Sequence, residues 1–437
     1  MGPDAPPRRS EMPKQIITRP RGTSDILPAD TPVWRYVEEL AIDLFESYGY
    51  GEIRVPVFED SALFERGVGE TTDIVEKEMY TFADRKGRTM ALRPEGTASV
   101  VRAYVEHKMY AQQPMQKLYY RGPMFRYERP QAGRERQFYQ LGIENLGSEH
   151  PAVDFEVIYI AFDYYRRLGL KSISIRLNSL GCSDDRVEYS NMLRDHFTTV
   201  RDQLCPNCKA RLERNPLRIL DCKEPHCKEL AGSAPSSLDG VCGECREHFD
   251  AVLSHLREFD VPFEVDTTIV RGLDYYTRTV FEVVHSSLGA QDALMGGGRY
   301  DDLVELMGGP TTPAAGFALG VGRAILAVRG EGIELPSQRP PDLYIAAIGD
   351  SARKKGLSLA VRARSNALRV EMDYDDRSFK SHLRNANRLG ARFVAIIGED
   401  EVARDVVQLK NMAESTQVEL TEEKTLEELT GSKSLPA

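Results

Sequence analysis

The chain has 437 residues, 41% hydrophobic and 28% charged, an ordinary globular composition with room for two or three domains. A net charge of −10 argues against a non-specific nucleic-acid binder, although local basic patches stay compatible with it. No apolar run approaches the ~20 residues that span a bilayer, and the opening MGPDAPPRRSEMPKQ lacks an apolar signal core, so no membrane partner and a cytoplasmic location are expected.

Residues 1–18 read as a disordered, Pro-rich tail, and residues 19–333 as one strand-rich domain. Val33, Val37, Leu40, Ala41, Leu44 and Tyr48 recur at helical spacing, which predicts a helix from Thr31 to Tyr48 with Thr31 as cap and Pro32 in the first turn. EIRVPVFE follows as a strand bent at Pro56, and MYTFADRKGRTMALRPE as a hairpin turning at Arg85-Lys86-Gly87-Arg88. Thr97 to Glu106 is a predicted helix. A longer hairpin comes next: KLYYRGPMFRYE, the loop RPQAGRER, and the return QFYQLGIENLG. Ala152 to Leu168 reads as a helix and SISIRLNSLG as a strand.

Residues 183–256 are polar and Cys-rich, and read as an insertion. FEVDTTIVRGLDYYTRTVFEVVH then supplies two strands, LMGGGRYDDLVELMGG a Gly-rich turn into a short helix, and AAGFALGVGRAILAVRGEG a strand into a helix. GGGRYDDL lacks the GxxxxGK[ST] form, so close packing is expected there rather than a phosphate loop. EGIELPSQRPPD is a linker. In residues 340–437 the runs LYIAAIG, LRVEMDY and RFVAIIG alternate with helical stretches, the mark of a parallel α/β domain. The consecutive hairpins before the linker predict a largely antiparallel α+β domain.

Strand alternation puts Arg126 and Glu128 on one face of the long hairpin, with Gln140 and Glu144 on the same face of its return strand. That pattern fits a solvated sheet face as well as a polar pocket. Six of the seven cysteines fall between Cys205 and Cys245. CPNC (Cys205, Cys208) and CGEC (Cys242, Cys245) are C-x2-C knuckles, with Cys222 and Cys227 between them. A structural Zn²⁺ and a merely Cys-rich insertion with reduced thiols both stay open.

FRYERPQAGRERQFYQLGIE resembles motif 2 of the class II aminoacyl-tRNA synthetases, and in detail the histidyl-tRNA synthetases. RGTSDILP, the stretch from YGEIRVPVFED to EMYTF, LRPEGTASVVRAY, RGLDYYTRTVFEV, MGGGRYDDL and GFALGVGR are similar to further motifs of that family, in its order. The resemblance runs from about Arg19 to Arg329, and more weakly to the C-terminus.

The resemblance implies ATP-dependent attachment of L-histidine to tRNA(His) through a histidyl-adenylate, with Mg²⁺ accompanying ATP. It implies Arg126 and Arg271 at the α-phosphate, Arg323 at the γ-phosphate and Glu128 at the adenine. Glu95, Gly96, Thr97 and Gln140 would hold the histidine backbone, and Glu144, Tyr275 and Tyr276 its ring. Arg129 and Gln131, in a loop that also carries Arg134 and Arg136, would reach the tRNA acceptor end. Residues 340–437 would be an anticodon-binding domain, and the stretch matching motif 1 implies a homodimer. Lys380, Arg384 and Arg388 lie at helical spacing, as a solvated face or an anticodon contact. A catalytically inactive synthetase-like regulatory subunit of histidine biosynthesis is the alternative; Arg126, Arg271 and Arg323 all being present argues against it.

Overall fold

The computed structural model describes residues 16–131, 133–270, 272–286, 293–375 and 377–431. Two compact units meet inside the Pro-rich stretch, Met1–Pro336 and Ser337–Ala437. Most of the 1–18 tail, and Arg271, lie outside the described residues.

The first unit opens with α1 (Thr31–Ser47), whose apolar stripe buries Val33, Val37, Ala41, Leu44 and Phe45. Burying each large apolar side chain of that stripe contributes about 1.5–3 kcal/mol. Asp30, not Thr31, occupies the N-cap; Thr31 is the first helical residue and its hydroxyl donates to Pro28 O at 3.1 Å. The predicted EIRVPVFE strand is instead two short pieces, β1 (Gly51–Glu52) and β2 (Phe58–Asp60), which join different sheets. Pro56 between them has no N–H to give a ladder.

The helix α2 (Ser61–Val68) and a π-turn at Ile74–Glu78 lead to the hairpin β3 (Thr81–Ala83) and β4 (Thr89–Leu92). These two strands and β2 form a three-stranded sheet. Then come α3 (Thr97–Glu106) and the long hairpin β5 (Gln116–Phe125) and β6 (Gln137–Leu146), paired in register from Gln116↔Leu146 to Phe125↔Gln137. The helix α4 (Pro151–Arg167) and strand β7 (Ile173–Ser179) follow.

The ordered elements of the Cys-rich stretch are helices: α5 (Ser183–Thr199), α6 (Pro206–Arg214), α7 (Leu217–Leu220), α8 (Pro225–Ala231) and α9 (Gly243–Glu258). Its last helix is no appendage, because Phe249, Val252, Leu253 and Leu256 of α9 belong to the main core beside α4. The unit closes with β8 (Phe263–Val265), β9 (Thr277–His285), β10 (Ala293–Arg299), α10 (Leu303–Leu306), β11 (Ala314–Gly320) and α11 (Val321–Gly330).

An eight-stranded sheet in the order β1-β5-β6-β11-β10-β9-β7-β8 carries this unit. Six interior strands pair antiparallel, and only the outermost pairs, β1–β5 and β7–β8, are parallel. The expected Gly-rich turn is thus a central strand, β10. Glycine fits there because a Cβ on Gly297 would run into the Gly316 carbonyl and Phe317 of β11.

Alternation sends Tyr119, Leu141, Ile143, Phe281 and Phe317 to a core under α1, α4, α9 and α11. The opposite face carries Leu118, Tyr120, Met124 and Val280, joined by Tyr275, Tyr276 and Tyr300 and by insertion residues such as Leu204 and Ile219. That face also carries Gln140 and Glu144, so it is mixed rather than polar.

The second unit is a five-stranded sheet in the order β13-β12-β14-β15-β16. The elements run β12 (Leu343–Ala347), α12 (Asp350–Ser365), β13 (Val370–Met372), α13 (Phe379–Arg388), β14 (Phe393–Ile397), α14 (Glu399–Ala403), β15 (Val407–Asn411), β16 (Gln417–Leu420) and α15 (Glu422–Gly431). β12, β13 and β14 are parallel as their alternation with helices predicts, whereas β15 and β16 extend the sheet antiparallel. No helix among the described residues is long and apolar enough to cross a membrane.

Candidate active site

A cavity of about 530 Å³ opens on the Tyr275–Tyr300 face of the large sheet. Its floor begins at the start of α3. Glu95 is buried, and its carboxylate accepts from Thr97 N at 2.7 Å and Ala98 N at 2.8 Å, satisfying two of the orphan donors at the helix N-terminus. Burial raises the Glu95 pKa above the ordinary carboxylate value, against the pull of those two N–H groups and Arg126. Thr97 Oγ1 donates to Glu144 Oε1 at 2.6 Å, and Tyr300 donates its hydroxyl to Glu144 Oε2.

Glu144 therefore does not face the cavity. It is fully buried on β6, behind Thr97, Tyr300 and Gly316, and a Cβ on Gly316 would strike its carboxylate. Burial pushes its pKa up to about 8, while the Thr97 and Tyr300 hydrogen bonds pull the other way. Burial, then neighbouring carboxylate charge, raises the Tyr300 pKa well above 10, so its phenol stays a proton donor.

One wall is aromatic. Tyr275 and Tyr276 have ring centroids 4.8 Å apart, and Tyr275 meets Tyr300 edge-on at 5.5 Å. Gln140, on β6, lines the cavity beside them, and its Oε1 is buried with no hydrogen-bond partner among the described residues. A buried acceptor without a donor is costly, so this atom is poised for a ligand's N–H.

The lining also carries cations. Arg126 lies one residue past the end of β5; its Nε donates to Pro94 O at 2.9 Å and its guanidinium sits 5.4 Å from the Phe138 ring centroid. Those two contacts hold the planar guanidinium at the cavity lining. Glu128 lines the cavity too and pairs with Arg134 at 2.7 Å. Arg323, in the first turn of α11, lines the same space. Arg136 packs over Tyr127 at 3.9 Å.

The predicted residues divide cleanly. Glu95, Thr97, Arg126, Glu128, Gln131, Gln140, Tyr275, Tyr276 and Arg323 line one cavity, although they come from segments far apart in the chain. Gly96, at the N-cap of α3, and Glu144 support that lining from behind. Arg129 is exposed on the loop outside it. Sequence reasoning missed Tyr300, Ser24, Asp25 and Trp34, which also line the cavity. The signal for three of them lay in the quoted RGTSDILP and MGGGRYDDL segments. In the second unit, Lys380, Arg384 and Arg388 project from the exposed face of α13, and His382 and Ala386 are buried on the other.

A family model described as histidyl-tRNA synthetase matches residues 22–207 and 226–324, and an anticodon-binding-domain model matches residues 342–431. The chain belongs to the histidyl-tRNA synthetase family. It is 50% identical to a histidine--tRNA ligase of Desulforamulus reducens over 93% of this chain and 97% of that protein. It is 52% identical to one of Geobacillus thermodenitrificans over 92% of this chain and 95% of that protein. A crystal structure of apo Staphylococcus aureus histidyl-tRNA synthetase aligns with a TM-score of 0.80 and 38% identity, over 95% of this chain and all of that one. The class II histidyl-tRNA synthetase fold accounts for both units: a sheet rich in antiparallel pairs, and an anticodon-binding domain after it.

Proposed function

We propose that the cavity joins L-histidine to ATP as histidyl-adenylate, releasing pyrophosphate, and then passes the histidyl group to tRNA(His), releasing AMP. The observation that carries this reading is the composition of the cavity. Arginines, carboxylate and amide acceptors and tyrosine rings line one space sized for a nucleotide and a small amino acid.

The reaction needs no protein nucleophile, because the histidine carboxylate itself attacks the α-phosphate. Catalysis is then positioning and charge stabilisation. Arg126 and Arg271 hold the α-phosphate as its negative charge grows, and their planar forks suit its oxygens. Arg323 holds the γ-phosphate, and Glu128 meets the adenine. Mg²⁺ enters on the triphosphate as part of the substrate.

Gln140 Oε1 and the Glu95–Thr97 turn receive the α-ammonium of histidine. The imidazole lies against Tyr275 and Tyr276. Glu144, fixed behind Thr97 and Tyr300, orients the hydroxyls that meet its ring nitrogens. A site built on such bonds can reject analogues lacking them by about 10⁴–10⁵. Arg129 and Gln131 reach the acceptor end of tRNA, and Lys380, Arg384 and Arg388 approach its anticodon.

The protein works as a cytoplasmic homodimer on this reading. Support for the dimer comes from Val57, Phe58 and Phe82, exposed apolar side chains in the stretch that resembles motif 1. The regulatory-subunit alternative has less behind it, because relatives near 50% identity and named as ligases span nearly the whole chain. ATP–pyrophosphate exchange with each of the twenty amino acids tests the reading. Exchange with histidine alone is expected, and exchange with none overturns it.

A further inference from the structure

All seven cysteines lie between β7 and β8, and the fold sorts them into two groups. Cys205, Cys208, Cys222 and Cys227 bring their sulfurs within 4.8 Å of one another. Cys182, Cys242, Cys245 and a carboxylate oxygen of Asp185 do the same. The two C-x2-C knuckles thus take separate partners, one at the start of α6 and the other at the start of α9.

The distances select the chemistry. A disulfide needs sulfurs about 2 Å apart, yet Cys205 and Cys222 stand at 3.9 Å and all seven thiols are free. Four sulfurs at about 2.3 Å from a tetrahedral Zn²⁺ lie about 3.8 Å from each other. Surrounding N–H groups already serve the ligand atoms. Cys208 N donates to Cys205 Sγ at 3.4 Å and Cys205 N to Cys227 Sγ at 3.3 Å. Asp185 accepts from Cys182 N at 3.1 Å and Cys242 N at 3.0 Å, which fixes its orientation as outer contacts do around metal ligands. Gly181, at φ 71°, makes the turn that brings Asp185 there, and a Cβ at Gly181 would collide with Asp185.

We propose that the chain binds two structural Zn²⁺ ions, one in a Cys₄ site inside the insertion and one in a Cys₃Asp site at its neck. Three or four clustered thiols are soft ligands, which suits Zn²⁺ over hard cations. Binding releases the thiol protons to solvent and involves no redox change. The neck site ties the residue before α5 to the start of α9, closing the insertion on itself. The inner site orders α6 to α8. Those helices carry Arg218, whose Nη2 donates to Gly272 O at 2.8 Å and to Asp274 Oδ1 at 2.9 Å. Asn215 Nδ2 reaches the same carboxylate at 3.3 Å, and Arg186 Nη1 donates to Asp274 O at 2.8 Å. The metals therefore brace the segment that delivers Tyr275 and Tyr276. That bracing role rests on the proposed histidine pocket, whereas the metal sites themselves do not.

Metal analysis of the full-length protein, its Cys208→Ser and Cys245→Ser variants and the double variant tests the proposal. Two zinc ions per chain are expected in the parent, one in each single variant and none in the double. None or one in the parent overturns it. Should a variant fail to fold, zinc-edge X-ray absorption of the parent decides. About 3.5 sulfurs per zinc with a minority oxygen ligand supports the assignment, and an oxygen- or nitrogen-dominated shell refutes it. In chelator-stripped protein the KM for histidine should rise at least about tenfold. An unchanged KM with zinc gone overturns the bracing role alone.

Discussion

Gln140 offers a substitution expected to strengthen the fold while it weakens function. Its Oε1 is buried beside the cavity with no donor among the described residues. Methionine keeps nearly the same length and volume without that acceptor. An unsatisfied buried acceptor costs about 1–3 kcal/mol, so Gln140→Met should leave the free protein equally stable or more stable by up to that amount. On the proposed reading the same atom accepts from the charged ammonium of bound histidine, a bond worth about 1.5–3 kcal/mol. The KM for histidine in pyrophosphate exchange should therefore rise about 10- to 100-fold, with the KM for ATP unchanged. Denaturant unfolding of the free variant supplies the other half of the test. A histidine KM within about twofold of the parent, or a clear loss of stability, would refute the reasoning.

The buried pair Asp154–Arg299 predicts an acid limb of stability. Arg299 Nη2 lies 2.5 Å from Asp154 Oδ2, and both side chains are almost wholly buried. Burial alone would raise the Asp154 pKa, but Arg299 and His248 outweigh it and hold the group at about 2. A depressed carboxylate contributes stability that is present above the unfolded value of 3.8 and lost as pH falls toward 2, roughly 2 kcal/mol here. Asp154→Asn should cost about 3–5 kcal/mol at neutral pH, because it leaves a buried guanidinium short of its main partner, and it should flatten the decline between pH 4 and pH 2. A variant as stable as the parent at pH 7 counts against the pair. Trp34 is the only tryptophan, lines the cavity and sits edge-on to Tyr139 at 5.4 Å. A non-hydrolysable histidyl-adenylate analogue should shift its emission, and unchanged fluorescence at saturation would remove Trp34 from the substrate cavity.

Local pattern alone located most elements of the fold. The apolar spacing from Val33 to Leu44 defines α1, the alternation of the long hairpin gives β5 and β6, and the Pro-rich stretch marks where one unit ends. It erred where a residue's role depends on what lies across the sheet. The three glycines at the centre of LMGGGRY have no side chains to alternate, so it read as a turn. It is a central strand because glycine alone tolerates the backbone of β11 so close. Pleating likewise set Glu144 on the same face as Gln140, but a strand's period carries no depth. Only the packing of Thr97, Tyr300 and Gly316 over Glu144 buries it, while Gln140 stays at the cavity wall. The motifs determined the chemistry, because charge and hydrogen-bonding type belong to the residues themselves. Tertiary structure decided which of those residues share a surface, and which cysteines cluster together, because neighbours far apart in the chain are chosen by the fold and not by spacing.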